Sequence, residues 1–163
     1  MSDGLVYIII LTYNGLKWID GCLTTVLKTN YGSFKVLIVD NASSDGSVEH
    51  IRNNFPNIEI IVNAKNYGFA EGNNVEIRHA LKSGAHYIVL LNQDTKVDRE
   101  WVPEMVKIIQ RNQDIGILSP MQYDYEGKEL DHNFKETIKV AFSQNENVYF
   151  VPRIIGCCDG GVS

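Results

Sequence analysis

The chain has 163 residues and 18.4 kDa, with 15 basic and 20 acidic side chains, a net charge of −5 and a pI near 5.3. That length excludes a second full domain, and a single domain of this mass buries about 69 % of its unfolded surface, so no disulfide or metal staple is required. No Lys/Arg cluster forms a stripe, which argues against nucleic acid and anionic membranes as partners. Three cysteines, Cys22, Cys157 and Cys158, are odd in number and two are adjacent. They exclude a disulfide framework and point to a reducing compartment, the cytoplasm.

The elements follow one another in a regular order. Leu5 to Leu11 is the longest apolar run, too short to span a bilayer and lacking a signal-type n-region. It reads as a first strand, followed by a helix over Leu16 to Lys28 with Leu16, Ile19, Leu23, Val26 and Leu27 at helical spacing. Lys35 to Val39 predicts a second strand, Ser47 to Phe55 a second helix, and Ile58 to Val62 a third strand. Glu71 to Ser83 predicts a third helix, Tyr87 to Leu91 a fourth strand, and Arg99 to Gln113 a fourth helix that tolerates Pro103 only near its first turn. The strands are β-branched and mostly apolar without alternation, which predicts a sheet covered on both faces. The βαβαβαβα order predicts an α/β/α sandwich with a mixed, mostly parallel sheet and right-handed crossovers.

Beyond Gln113 the regularity ends. Ile115 to Leu118 reads as a further strand, Gln122 to Glu136 as a polar surface excursion, and Tyr149 to Val151 as a strand ended by Pro152. No repeat, low-complexity segment or linker marks an internal boundary.

Ligands of open α/β sheets bind beyond the carboxyl ends of the strands. The four strands run into Thr12-Tyr13-Asn14-Gly15, Asp40-Asn41-Ala42-Ser43-Ser44-Asp45-Gly46-Ser47, Asn63 to Asn74, and Asn92-Gln93-Asp94-Thr95, so polar groups converge on one edge. Asp45 and Ser47 fit helix capping better than ligand contact. Asp40 and Asp94 directly end apolar strands, where a carboxylate without a partner is costly. There is no G-x-G-x-x-G after strand one and no G-x-x-x-x-G-K-[ST], which removes the phosphate cradles of dinucleotide enzymes and P-loop NTPases. A bound phosphate is then most simply neutralised by a divalent cation on carboxylates.

Four blocks, VYIIILTYNG, FKVLIVDNASSDGS, NAKNYGFAEGNN and YIVLLNQDT, stand in an order and spacing that resembles the family 2 glycosyltransferases of GT-A fold, and most of all their rhamnosyltransferase-like branch. The matching run covers residues 5 to about 120. The resemblance implies that Thr12, Tyr13 and Asn14 line a uracil or thymine pocket, where a tyrosine presents its π face to the base. It implies that Asp40 accepts the imino N–H of the pyrimidine, and hence a UDP- or dTDP-sugar donor. Asn66 and Gly68 to Asn73 match the segment lying along the donor nucleotide. Asn92-Gln93-Asp94 occupies the D-x-D position, with Asn92 and Gln93 on the donor and Asp94 as the ligand of Mg²⁺ or Mn²⁺. Asn92 departs from the pattern: an amide hydrogen-bonds a ribose hydroxyl or a metal-bound water but supplies no charge.

The implied reaction is inverting transfer of the sugar to a glycan or lipid-linked acceptor in polysaccharide biosynthesis, with a carboxylate as general base. In the family that base lies in an acidic loop after a Gly-small-apolar strand, which Ile155-Gly156-Cys157-Cys158 begins. Asp159 stands too near the chain terminus to be held in place. The expectation is therefore a single domain over 1–163 truncated at its C-terminus, with 1–120 as the nucleotide-binding half, 121–163 as the start of the acceptor half, and the base beyond Ser163. Peripheral membrane association belongs, on this reading, to the full-length protein. Two rivals fit the residues less well: a sugar-phosphate nucleotidyltransferase, whose Gly-rich basic loop Thr12 to Lys17 does not provide, and a receiver or flavodoxin-like regulatory module, whose third strand would end in Asp rather than Asn63. His50, His79, His86 and His132 lack paired ligand spacing, Cys157 and Cys158 read as small hydrophobes, and Trp18 and Trp101 as helix–sheet packing.

Overall fold

The computed structural model describes residues 4–124, 126–132, 134–135, 143–145 and 148–150, with the backbone alone at 69–73, 75, 143–145 and 148–150. Met1–Pro103 and Glu104–Ser163 form two compact units. The expected strand at Val151 and the Ile155 to Asp159 segment lie in whole or in part outside the described residues.

The first unit holds β1 (Val6–Thr12), α1 (Ile19–Val26), β2 (Phe34–Asp40), α2 (Ser47–Asn54), β3 (Glu59–Val62), α3 (Gly68–Lys82) and β4 (Tyr87–Asn92), and α4 (Trp101–Arg111) begins in it. The four strands form one sheet in the order β3-β2-β1-β4, parallel throughout. The chain steps from β1 to β2 to β3 in one direction, then returns past β1 to reach β4. Right-handed crossovers therefore place α1 and α2 on one face and α3 on the other. A flavodoxin-like module would run 2-1-3-4-5, so the strand order overturns the receiver alternative.

β1 is the spine, buried almost along its whole length. Its odd residues Tyr7, Ile9 and Leu11, with Leu5 just before it, join Leu37 and Val39 of β2, Ile61, Ile88, and Ile77 and Ala80 of α3 in one apolar cluster. The even residues Val6, Ile8 and Ile10, with Ile38, are equally closed to solvent, and Ile19, Leu23 and Val26 of α1 and Ile51 of α2 supply apolar surface for that face. The absence of alternation in the sequence is thus accounted for in β1 and β2. The flanking strands are less covered: Val62 of β3 and Leu90 of β4 are both exposed.

Local chemistry sets the helix ends. α1 starts three residues later than its apolar spacing predicts, because Trp18 and Ile19 N–H both close a turn on the Gly15 carbonyl. α3 starts earlier, at Gly68, whose N–H is accepted by Asn66 Oδ1 at 2.8 Å and whose φ of 73° suits glycine. Trp101 donates from Nε1 to Thr29 Oγ1 at 2.9 Å and is nearly buried, as a packing residue should be.

The second unit contains the rest of α4, an isolated bridge between Tyr123 and Leu130, and an antiparallel pair, β5 (Ser143–Asn145) and β6 (Val148–Phe150). The strand expected at Ile115 to Leu118 is absent. Ile115 N–H instead turns back onto the Asn112 carbonyl, and Ile117 is 76 % exposed. An apolar run becomes a strand only where another strand takes its hydrogen bonds, and none of the described strands does so here.

Two buried polar groups strain against the apolar surroundings. Glu76 of α3 is 1 % exposed, and its Oε2 has no hydrogen-bond partner among the described residues. Burial pushes its carboxyl above the ordinary range, with His79 opposing the shift and Glu59 adding to it. A proton kept in the folded state and lost from the unfolded one makes stability fall as pH rises above the ordinary carboxylate range. Glu76→Gln is therefore expected to raise the thermal midpoint by a few degrees at pH 8, with the gain vanishing near pH 4, as read by calorimetry at the two pH values. Cys22 of α1 is buried, and burial, helped by the Asp94 carboxylate, pushes its thiol up to about 12. In the native chain at pH 8, peptide mapping after iodoacetamide treatment should find Cys22 unmodified until denaturant is added.

Candidate functional site

Parallel pairing brings the strand ends to one level. In the register of β1 with its neighbours, Thr12 stands opposite Asp40 and Leu11 opposite Asn92. The direction of strand order reverses between β1 and β4, and that switch point is where open α/β sheets form a ligand crevice. Thr12, Tyr13, Asn14, Asp40, Asn92, Gln93 and Asp94 all lie at this edge, and Asn66 and Gly68 stand where the chain leaves β3 for α3.

The end of β1 is held from both sides. Gln93 Oε1 accepts the Thr12 hydroxyl and, at 3.0 Å, the Tyr13 N–H, while Gln93 Nε2 donates to the Tyr13 carbonyl at 3.2 Å. Thr12 is buried, whereas the Tyr13 ring is 49 % exposed. Asn14 adopts a φ of 48°, a left-handed conformation that asparagine tolerates better than most residues. Its N–H donates to Ser43 Oγ at 2.9 Å and its Oδ1 accepts the Ser44 N–H at 2.9 Å, tying the β1 loop to the β2 loop.

Asp40 has no exposed surface. Its Oδ2 accepts the Ser43 N–H at 2.9 Å and its Oδ1 the Ser43 hydroxyl. Two of the four lone-pair sites of the carboxylate are thus used in shaping the loop, and the other two take no bond from the described residues. Asn41, also buried, donates from Nδ2 to the Gly68 carbonyl at 3.1 Å and accepts Asn63 Nδ2 at 2.8 Å. It fixes the start of α3 against the ends of β2 and β3. The sequence signal for Asn41, Ser43 and Asn63 was only their turn-forming type, which does not reveal long-range partners.

Asp45 spans two roles. Its Oδ1 accepts the Ser47 N–H at 3.0 Å, and its Oδ2 accepts the Leu16 N–H at 2.9 Å from the β1 loop. Burial works against its charge, but the Ser47 side chain and the N–H groups of Leu16 and Ser47 outweigh it and hold the carboxyl below the ordinary range. The capping expectation is not met: Gly46 is the N-cap of α2, with no side-chain cap bond, Ser47 is the first helical residue, and Asp45 instead turns the chain just before the helix and adds a cross-loop bond that spacing could not predict.

Beyond β4, Asp94 is exposed while Asn92 and Gln93 are half-buried. Cys22 Sγ lies 3.6 Å from the Asn92 carbonyl, which sets α1 beside this turn. No group of three His, Cys, Asp or Glu side chains suited to a metal occurs among the described residues. Asp94 offers a single exposed carboxylate at this edge, which suits Mg²⁺ or Mn²⁺ completed by phosphate oxygens and waters better than an all-protein cage. Three of the four histidines are engaged elsewhere: His50 Nε2 lies 2.7 Å from Asp20 Oδ1, His79 pairs with Glu59, and His86 Nδ1 accepts the Leu5 N–H. No helix among the described residues is long and apolar enough to cross a membrane.

Comparison with known proteins places the fold in a family. The dTDP-rhamnosyl transferase RfbF of Shigella flexneri is 26 % identical over 120 residues, which is 73 % of this chain and 39 % of RfbF. The glycosyltransferase AglE of Haloferax volcanii is 31 % identical over 109 residues, 64 % of this chain and 35 % of AglE. The chain thus spans well under half the length of these relatives. Among solved structures, the mannosyltransferase PcManGT of Pyrobaculum calidifontis, in complex with GDP-Man and Mn²⁺, superposes with a TM-score of 0.66 at 23 % identity over 77 % of this chain and 38 % of its own. Residues 1–349 of S. aureus TarS, in complex with UDP-GlcNAc, superpose with a TM-score of 0.59 at 19 % identity over 72 % of this chain and 38 % of theirs. At these identities the structures establish the shared GT-A fold. The family model described as glycosyl transferase family 2 matches residues 7–161, nearly the whole chain, and the chain belongs to that family.

Proposed function

We propose that this chain binds the nucleotide part of a UDP- or dTDP-sugar and belongs to a glycosyltransferase that passes the sugar, with inversion, to a glycan or lipid-linked acceptor in polysaccharide biosynthesis. The observation that carries the reading is the parallel register. It brings the ends of β1, β2 and β4 level, so that the exposed Tyr13 ring and Asp94 stand at the same sheet edge as the buried Asp40. Tyr13 stacks on the base, and Asp40 uses its remaining lone pairs for a pyrimidine imino N–H. Thr12 and Asn14 shape that pocket, and Asn66, Gly68 and Asn73 follow the nucleotide along the start of α3. The name of RfbF, a dTDP-rhamnosyl transferase, supports a thymidine donor.

Asp94 is the residue that would hold Mg²⁺ or Mn²⁺, with Asn92 beside it as a neutral donor to ribose or metal-bound water. When bound, the ion supplies Lewis-acid stabilisation of the departing diphosphate. None of the described residues is assigned as the base that takes the acceptor proton, and the chain covers 39 % and 35 % of the relatives RfbF and AglE. The odd number of cysteines, two of them adjacent, supports a reducing, cytoplasmic setting, and peripheral membrane association is part of the same proposal.

Titration calorimetry with UDP, dTDP and GDP, with and without Mn²⁺, tests the proposal. UDP or dTDP should bind in a Mn²⁺-dependent way and GDP should not. Asp94→Asn should remove the Mn²⁺ dependence and weaken binding about 10- to 100-fold, the loss of one charge-assisted contact. Absence of heat with both UDP and dTDP would overturn the donor assignment.

A further inference from the structure

We propose that Gln93 is a positioning residue: its side-chain amide extends the β1–β4 pairing by one step and thereby fixes Tyr13 at the crevice. The inference rests on the donor-site reading for its purpose, but its geometry is independent of it. The backbone register of β1 with β4 ends at Leu11 opposite Asn92. One residue further on, the Gln93 side chain takes over. It gives Tyr13 an acceptor for its N–H at 3.0 Å and a donor for its carbonyl at 3.2 Å, and it accepts the Thr12 hydroxyl as well. A primary amide carries the same donor and acceptor as a peptide group, so this two-point contact imitates a strand neighbour. Its orientation is fixed, because a flipped amide would set Nε2 against the Tyr13 N–H, donor against donor.

Two further observations show that the surroundings are built for this clamp. Gly15 leaves it room: a Cβ there would collide with both Gln93 Oε1 and Thr12 Oγ1. On the other side of Tyr13, Asn14 is locked to Ser43 and Ser44. Tyr13 is held at its own backbone by Gln93 and at the next residue by the β2 loop, while its ring stays half open to solvent. A ring whose backbone is already fixed loses less freedom when a base stacks on it. Gln93 thus acts through Tyr13, in contrast to its neighbours Asn92 and Asp94, and Oε1 has no free role toward the donor because it already accepts two hydrogen bonds.

The test uses the chain labelled with 3-fluorotyrosine, the Tyr13 resonance being assigned by its loss in Tyr13→Phe. In ligand-free Gln93→Leu the ¹⁹F line of Tyr13 should shift and broaden while those of the other tyrosines stay in place, which shows that the fold persists. The affinity for UDP or dTDP with Mn²⁺ should fall about tenfold, a loss on the scale of one or two hydrogen bonds. Gln93→Glu, which keeps the acceptors and loses the donor to the Tyr13 carbonyl, should lie between wild type and Gln93→Leu in both measurements, and Gly15→Ala should disturb the Tyr13 line with Gln93 intact. An unchanged Tyr13 line in Gln93→Leu, or an unchanged nucleotide affinity, would overturn the proposal. A wild-type chain that binds neither nucleotide would overturn the donor reading alone, because the ligand-free resonance still decides the clamp.

Discussion

Everything at the crevice depends on the central position of β1. A strand buried on both faces has no water for its N–H and C=O groups, so each must be met by a strand alongside, β2 on one side and β4 on the other. Parallel pairing fixes not only who the neighbours are but where they stop. Asp40 and Asn92 are brought level with the last residues of β1, although they stand 28 and 80 positions from Thr12 in the sequence. The polar loops are consequences of that alignment, because each begins where its strand runs out of partners.

The loops then secure one another with side chains, which is why they are rich in Asn, Asp and Ser. Asn14 is joined to Ser43 and Ser44, Asp45 to Leu16, Asn41 to Gly68 and Asn63, and Gln93 to Thr12 and Tyr13. Most of these bonds are made by side chains to backbone groups of a different loop. Such cross-bracing orders the edge before any ligand arrives, and it leaves few groups free. The exposed Tyr13 ring and the Asp94 carboxylate stand out because their neighbours are already occupied. Glu76 and Ser47 are exceptions among the described residues, each with one buried side-chain oxygen unmet, and for Glu76 the shift of its titration upward is the physical mark of that conflict.

Much of the architecture was legible in the residues. Continuous β-branched runs in Tyr7 to Leu11 and Lys35 to Val39 demanded cover on both faces, and the helical spacing between them supplied it. The four blocks that resemble the family 2 glycosyltransferases were legible too, and the family match over residues 7–161 agrees with them. Boundaries were less so. The start of α1 was decided by a turn on Gly15, and that of α3 by the Asn66 side chain, neither of which periodicity registers. Ile115 to Leu118 had the composition of a strand but found no strand to pair with among those described, since composition reports willingness to pair and not the presence of a partner.

By itself, the sequence determined the α/β alternation, the polar strand ends and the family, because apolar periodicity and short motifs are local properties written within ten or so residues. Only the tertiary structure decided the strand order β3-β2-β1-β4, which eliminated a receiver-like module that the same alternation would have allowed. It alone decided what each polar residue does: Asp40 shapes its own loop, Asp45 bridges two loops, and Gln93 extends the pairing of β1 by holding the Tyr13 backbone 80 residues away from it in sequence. The reason is one of range. A hydrogen-bonding side chain is identified by its type, but its partner is chosen by the packing of the sheet, and that choice lies outside any window of sequence.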